Sequence, residues 1–362
     1  MSHGGRVYEA ARELGIGVDE VLDFSANMNP YGPPESVMNA VRSAIGQIIH
    51  YPDPESHDLV YALACQHGVS PECIVVTNGA EEALWLLPQV LCAQKGIICS
   101  PSFSGYSSSM YAWHKPSVFV PSNFRWHPKR FESALYEAAE QVSEGDVLFV
   151  CNPNNPTAEL APRQVIADIL REVRVRGGTL VLDESFMQFV RCEHAYSFAT
   201  SAATGSALVV VRSLTKFYSI PGLRVGYVLM PRELAARMRC MLPHWNVNRL
   251  AQVAALAAVQ DERYRYDSVI RLSQAKDELC TRLRELRVFR VHESSANFLL
   301  LEILDRSLDS RRLCTLARRN RVLLRDCADF PALSRRYIRV AVRKPAHNAQ
   351  LIRVLEHIIR GE

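Results

Sequence analysis

Between residues 74 and 230 the chain alternates short apolar runs with longer stretches of helical periodicity. The runs are IVVT (74–77), GIICS (96–100), SVFV (117–120), VLFVC (147–151), TLVL (179–182), ALVVV (207–211) and VGYVLM (225–230). Most are apolar throughout, which predicts strands buried on both faces. Helical patterns separate them, for example at 130–141 and 162–175. Another precedes them at 35–49, where Val37, Ala40, Val41, Ala44, Ile45 and Ile48 recur at steps of three and four. Pro88 falls inside the helix expected at 80–93 and predicts a kink there. The pattern is that of an α/β architecture, a mostly parallel central sheet covered by helices.

After about residue 245 the texture changes. Residues 249–286 predict one or two long helices. Shorter strands follow at VFRV (288–291), ANFLLLEI (296–303), VLLR (322–325) and YIRVAV (337–342), and a helix at 346–359 closes the chain. The expected organisation is an N-terminal arm (1–25) joining a small domain, a large domain (26–245) and a small α+β domain (246–362).

Composition changes this picture little. The 362 residues are 48% hydrophobic and 22% charged, an ordinary globular balance. No apolar run approaches the roughly 20 residues of a membrane span. The N-terminus, MSHGGRVYEAARELG, lacks the apolar core of a signal peptide. A cytoplasmic protein with no membrane partner is expected. Ten cysteines are scattered from Cys65 to Cys327 without a CxxC pair, which predicts reduced thiols and no metal site. A net charge of +4 is too mild to predict a nucleic-acid partner. The basic stretch 306–325 places Leu308, Leu313, Leu316 and Ala317 at helical spacing, so its arginines are expected on a solvated helix face.

Candidate chemistry gathers at the ends of the predicted strands. In TNGAEEAL (77–84) a strand passes into a helix through Asn78 and Gly79. A glycine there lets backbone N–H groups approach an anion, and the helix N-terminus adds positive potential. A plain strand–turn–helix has the same letters. CNPNNPTAEL (151–160) forms an irregular loop at a strand's C-terminal end, where open α/β sheets bind ligands. LVLDESF ends a strand in Asp183, which is either a helix cap or a functional acid. SLTKFYSIPGLRVGY (213–227) carries Lys216 past another strand end, with Ser213 and Thr215 beside it and Arg224 a short loop away. A desolvated lysine near another cation attacks carbonyls well; a polar loop after a strand is the plainer reading.

In this order the four segments resemble the pyridoxal-phosphate enzymes of the aspartate aminotransferase fold (fold type I), over nearly the whole chain. The resemblance implies that Lys216 binds the cofactor aldehyde as a Schiff base. It implies that Asp183 pairs with the pyridinium nitrogen and that Asn155 donates to the ring's 3-oxygen. Phe103, in SPSFSGY, matches the aromatic that stacks on the ring. Ser213, Thr215, Arg224 and the turn at Gly79, with the backbone of Ala80 and Glu81, match the phosphate cup. Tyr51, in YPDP (51–54), matches a tyrosine that reaches the cofactor phosphate of the neighbouring subunit, which implies a homodimer with shared sites. Phe186 departs from the pattern, standing where many relatives carry a tyrosine. Ala158 replaces the glycine usual after Asn-Pro-Thr, so a slightly different loop is expected.

Two branches of the family compete. The YPDP stretch and the chain length resemble the histidinol-phosphate aminotransferases. HGGRVYEAARELG (3–15), LDFSANMNPYGPP (22–34), Phe186 and TKFYSIPGLRVGY resemble the threonine-phosphate decarboxylases. That branch's form is closer to NINPLG, so Met28 and Tyr31 depart mildly. The second resemblance implies that His3, Asn27 and Gly32 border the substrate. Arg325 and Arg339 are candidate cations for a carboxylate or phosphate, unless they are plain surface charges. The expected reaction is decarboxylation of a phosphorylated amino acid, L-threonine O-3-phosphate, to (R)-1-amino-2-propanol O-2-phosphate for the cobalamin nucleotide-loop linker. The alternatives are transamination of histidinol phosphate and decarboxylation of L-serine O-phosphate. A non-catalytic regulator fits less well, because a retired scaffold is expected to lose Lys216 or Asp183.

Overall fold

The computed structural model describes residues 4–122 and 130–361; His3 lies outside them. The N-terminal arm contributes a short strand, β1 (Leu22–Asp23). A seven-stranded sheet follows, built from β2 (Ile74–Thr77), β3 (Gly96–Ser100), β4 (Ser117–Pro121), β5 (Val147–Cys151), β6 (Thr179–Asp183), β7 (Leu208–Ser213) and β8 (Gly226–Leu229). Its order is β2-β8-β7-β6-β5-β3-β4. Each predicted apolar run forms a strand, and β2, β3, β5, β7 and β8 are buried along their whole length. β8 runs antiparallel to both neighbours. The segment joining it to β7 holds no crossover helix of useful length, so the chain turns back instead. That returning segment, 214–225, carries Lys216 and Arg224.

One face of the sheet is covered by helices His57–His67, Arg130–Glu140, Arg163–Val175 and Arg249–Gln260, the other by Ala80–Val90, Gly105–Ala112 and Arg232–Met241. Pro88 does not break the helix Ala80–Val90. It lies in the last turn, so the bond it forfeits to the Leu84 carbonyl leaves only Gln89 and Val90 of the helix beyond it. The helical stretch after 249 divides at Asp261, whose carboxylate accepts from Tyr264 N at 2.9 Å and caps the helix Glu262–Glu285.

Beyond it, β9 (Phe289–Val291), β10 (Phe298–Ile303), β12 (Arg325–Asp326) and β13 (Tyr337–Ala341) form an antiparallel sheet in the order β12-β13-β10-β9. VLLR is split: β11 (Val322–Leu323) pairs with β1 of the arm, and the strand then steps over to β13. Phe24 of the arm is fully buried in this second core. The helix Ser310–Arg319 buries Leu313 and Ala317 and exposes Arg311, Arg312 and Arg319, as the spacing predicts. Arg318 adds a role, pairing with Glu13 at 2.6 Å and so tying down the arm helix Val7–Leu14.

Candidate active site

The ends of β5, β6 and β7 bring the predicted groups into one cleft. β6 ends in Asp183, which is buried. Tyr106 Oη donates to its Oδ2 at 2.7 Å, and Ser185 N donates to its Oδ1 at 2.9 Å. Beyond β7, Lys216 Nζ donates to Ser213 Oγ at 3.2 Å, and that oxygen lies 2.8 Å from Thr215 Oγ1. Burial pushes the Lys216 amine below the ordinary lysine range; Asp183 pulls the other way and Arg224 adds to the depression. The amine faces the ring of Phe186, 5.4 Å from its centroid.

The anion cradle is assembled from three segments. Gly79 has φ +82°, and a Cβ there would stand 2.6 Å from Arg224 Nη2. The guanidinium therefore lies directly over the glycine. Ala80 and Glu81 open the helix Ala80–Val90, where backbone N–H groups have no intrahelical acceptor. Gly226 sits opposite Ser213 in the ladder and packs against Ala80 N, which brings the β7 hydroxyls to the same helix end. Phe103 stands at the near side, its ring edge-on to Tyr106 at 5.6 Å.

A second group of residues closes the cleft. Arg339 is central in β13 and buried. Its Nη1 donates to Asn155 Oδ1 and its Nη2 to Ser25 O at 2.8 Å, while its Nε is buried without a partner among the described residues. Burial pushes this guanidinium down to about 10. Arg325 lies opposite Arg339 in the β12–β13 ladder, so the two share one face of the sheet. Asp329 accepts from Arg325 Nη2 at 2.8 and 3.1 Å, and Phe330 packs its ring 4.9 Å from the guanidinium carbon. Asn27 is buried with its Oδ1 unpartnered among the described residues, and its carbonyl accepts from Asn297 Nδ2 at 3.0 Å. The arm segment carrying Ser25 and Asn27 is thus a wall of the cleft.

Gly32 and Tyr51 are the remaining predicted site residues. Gly32 packs its backbone against Tyr264, whose hydroxyl a side chain at 32 would strike. That is a packing reason for the glycine. Tyr51 is 77% exposed and stacks on Trp245, ring centroids 4.2 Å apart. Ala158 holds a left-handed backbone, φ 60°, and packs with Phe186, Ala296 and Phe298.

Sequence reasoning missed Tyr106, although it lies one helical turn beyond Phe103 in SPSFSGY. It also missed Asn297 and Arg343, which fix the arm through carbonyls. Arg343 Nε donates to Asp23 O at 2.7 Å and Nη2 to Ala26 O at 3.1 Å. No local pattern marks these two, because their partners lie more than 250 positions away.

Known proteins resemble this chain over nearly its whole length. The family model described as aminotransferase class I and II matches residues 19–358. A threonine-phosphate decarboxylase of Salmonella typhimurium is 35% identical over 370 residues, covering 99% of this chain and 97% of the relative. A histidinol-phosphate aminotransferase of Moorella thermoacetica is 30% identical, covering 98% of this chain and 89% of the relative. The crystal structure of L-threonine-O-3-phosphate decarboxylase from Porphyromonas gingivalis superposes with a TM-score of 0.81 at 25% identity, covering 94% of this chain and 100% of that one.

Proposed function

The chain belongs to the class I and II aminotransferase family, which works with pyridoxal 5'-phosphate, and from that membership we propose that it decarboxylates L-threonine O-3-phosphate. The products are carbon dioxide and (R)-1-amino-2-propanol O-2-phosphate, a linker for the cobalamin nucleotide loop. The residues present fit the cofactor. A desolvated amine, a buried carboxylate and a glycine-floored helix end under an arginine are what its aldehyde, ring nitrogen and phosphate require.

When bound, the cofactor supplies a sink for the electron pair left at the substrate Cα. The chain does the rest. Lys216, whose protonated form burial disfavours, would hold the cofactor by its aldehyde. Asp183 would hold a proton at the ring nitrogen, with Tyr106 and Ser185 fixing its two oxygens. Asn155 would donate to the 3-oxygen, and its own Oδ1 is fixed by Arg339. Ser213, Thr215, Arg224 and the Ala80 and Glu81 amides would take the phosphate. Phe103 would pack on the ring. Phe186 has no hydroxyl to offer, so Asn155 would serve the 3-oxygen without a tyrosine from that position.

The observation that carries this reading is the pairing of Arg325 and Arg339 on one face of the small sheet, beside the Asn27 wall. Two like charges directly opposed are unfavourable; Asp329 offsets Arg325, whereas Arg339 meets only the neutral oxygens of Asn155 and Ser25. Threonine phosphate brings two anionic groups in one molecule, a carboxylate and a phosphate. Gripping both fixes the torsion about Cα and so selects which bond is broken. Histidinol phosphate brings one anionic group.

Tyr51 supports a homodimer with shared sites. Its exposed ring stands beside exposed Ile48 and Trp245, an apolar face of the kind that a partner covers.

The test is carbon dioxide release from threonine phosphate with no keto acid added. Release supports the decarboxylase. Keto-acid-dependent amino transfer from histidinol phosphate, without carbon dioxide from threonine phosphate, overturns it. The aminotransferase reading is favoured by the 30% identity to the Moorella thermoacetica enzyme. Serine phosphate belongs in the same panel, since one methyl is worth roughly 1–3 kcal/mol in a pocket.

A further inference from the structure

Beside each cofactor residue at the ends of β6 and β7 stands a charged residue of opposite orientation. Asp183 is followed by Glu184, and Ser213 is preceded by Arg212. Successive strand residues face opposite sides, so these two lie behind the sheet. Both are 1% exposed. Arg212 Nη1 donates to Glu184 Oε2 at 2.8 Å. Glu184 also accepts from Ser197 Oγ at 2.6 Å and Phe198 N at 2.7 Å. Arg212 Nη2 lies 3.5 Å from Glu193 Oε2, and Glu193 accepts in turn from Arg265 of the helix Glu262–Glu285. Tyr227, opposite Arg212 in the ladder, shares its hydroxyl with His67 Nε2 at 2.9 Å.

Stability alone is a poor reason for this pair. Desolvating two charges roughly cancels their attraction, and apolar residues of similar volume often do as well. The placement supplies something else. It ties the strand end that bears Asp183 to the strand end that bears Ser213 and, through that hydroxyl, Lys216.

We propose that Glu184 and Arg212 are positioning residues, an ion pair behind the sheet that sets the spacing between Asp183 and Lys216 in front of it. The inference rests on the cofactor reading of those two residues. The charged and titratable groups facing Lys216 are Asp183, Arg224, Glu81 and Cys151. Of these, Asp183 is the one whose strand end the pair ties to β7. Loosening the tie lets the carboxylate recede from the amine and moves the proton equilibrium of the Lys216 nitrogen downward.

The experiment is a spectrophotometric pH titration of the bound cofactor's visible band. It compares wild-type holoenzyme with Glu184→Gln, Arg212→Met, Arg212→Lys and the double variant Glu184→Gln/Arg212→Met. The double change is neutral in net charge and leaves Glu193 with Arg265, so a remaining shift reports geometry. The expected result is a midpoint lowered in the double variant by about half a unit or more, a roughly threefold change in the protonation equilibrium. Arg212→Lys keeps the charge but loses the planar fork; it is expected to shift the midpoint the same way by less. It decides the question should the double variant not fold. Unchanged midpoints in every folded variant, with earlier melting alone, overturn the proposal. A wild-type protein with no visible band and no borohydride-trapped cofactor at Lys216 overturns the cofactor reading itself, a separate outcome.

Discussion

The Tyr106 hydroxyl donates to Asp183 Oδ2 at 2.7 Å at the bottom of the cleft. The ring that carries it is buried and stacked on Phe149 at 5.3 Å, so the donor has little freedom. Hydrogen bonds to charged groups contribute about 1.5–3 kcal/mol. Tyr106→Phe keeps the ring and removes this one bond. The apoenzyme is expected to lose stability of that order in urea unfolding. With the cofactor bound the loss should be smaller, because the ring nitrogen gives the carboxylate another donor. An equal loss in both forms would show that Asp183 does not face the cofactor.

Arg339, central in β13, reaches the Asn155 loop through Nη1 and the arm through Nη2. Arg339→Lys replaces the planar fork with a point charge and cannot serve both Asn155 Oδ1 and Ser25 O. Truncating a buried, hydrogen-bonded charge costs about 2–5 kcal/mol. The expected outcome is a fall in kcat/KM of roughly a hundredfold or more, with the cofactor band still formed. Steady-state kinetics beside an absorbance spectrum checks both halves.

Much of the sheet was legible because strands buried on both faces must be apolar throughout, as VLFVC and LVVV are. The proposed cofactor residues were legible for a related reason. Strand ends in such a sheet are where polar residues reappear, so Asp183, Asn155, Ser213 and Lys216 stand out against apolar neighbours. The closing wall was not. Ser25, Asn27 and Asn297 are ordinary letters whose meaning comes from pairing 270 and 314 positions apart. Gly32 gains a packing role in the same way. Its lack of a side chain answers to Tyr264, a residue no local pattern connects to it.

His67 gives a pH dependence of defined sign. Burial, with Arg212 and Arg265 behind it, lowers its pKa from 6.5 to about 3. Between those values the unfolded chain binds a proton that the folded one does not, so stability falls as pH falls through the window. At about 1.4 kcal/mol per unit, the loss is on the order of 2 kcal/mol by pH 5. His67→Gln keeps a partner for Tyr227 and does not titrate. Urea midpoints at pH 7 and pH 5 should converge in the variant relative to wild type. An unchanged acid slope would refute this.

Ala158 occupies a left-handed backbone, which costs an L-residue roughly 1–2 kcal/mol. Its methyl recovers part of that among Phe186, Ala296 and Phe298. Ala158→Gly exchanges strain for lost contact and chain freedom, so its stability is expected within about 1 kcal/mol of wild type. Ala158→Val is different. A β-branched residue fits this backbone badly and forces two methyl groups toward Phe186. A loss of about 2–4 kcal/mol is expected from strain and overpacking together. Thermal unfolding of the two variants side by side separates the terms.

Tyr51 tests the shared site, because it stands on the surface, away from the buried cleft of its own chain. Lys216→Ala removes the reactive amine, and Tyr51→Ala removes the ring proposed to serve the partner's cup. Each variant alone is expected to be inactive or severely impaired. A mixed dimer of the two has one site carrying both defects and one carrying neither. After denaturation and co-refolding, random pairing in a two-fold dimer should restore about a quarter of wild-type activity. Ile48→Asp, placed on the same exposed face, should block the rescue by keeping the chains apart, and sedimentation should show monomers. Dimers that form yet regain nothing would mean that each cleft is complete within its own chain.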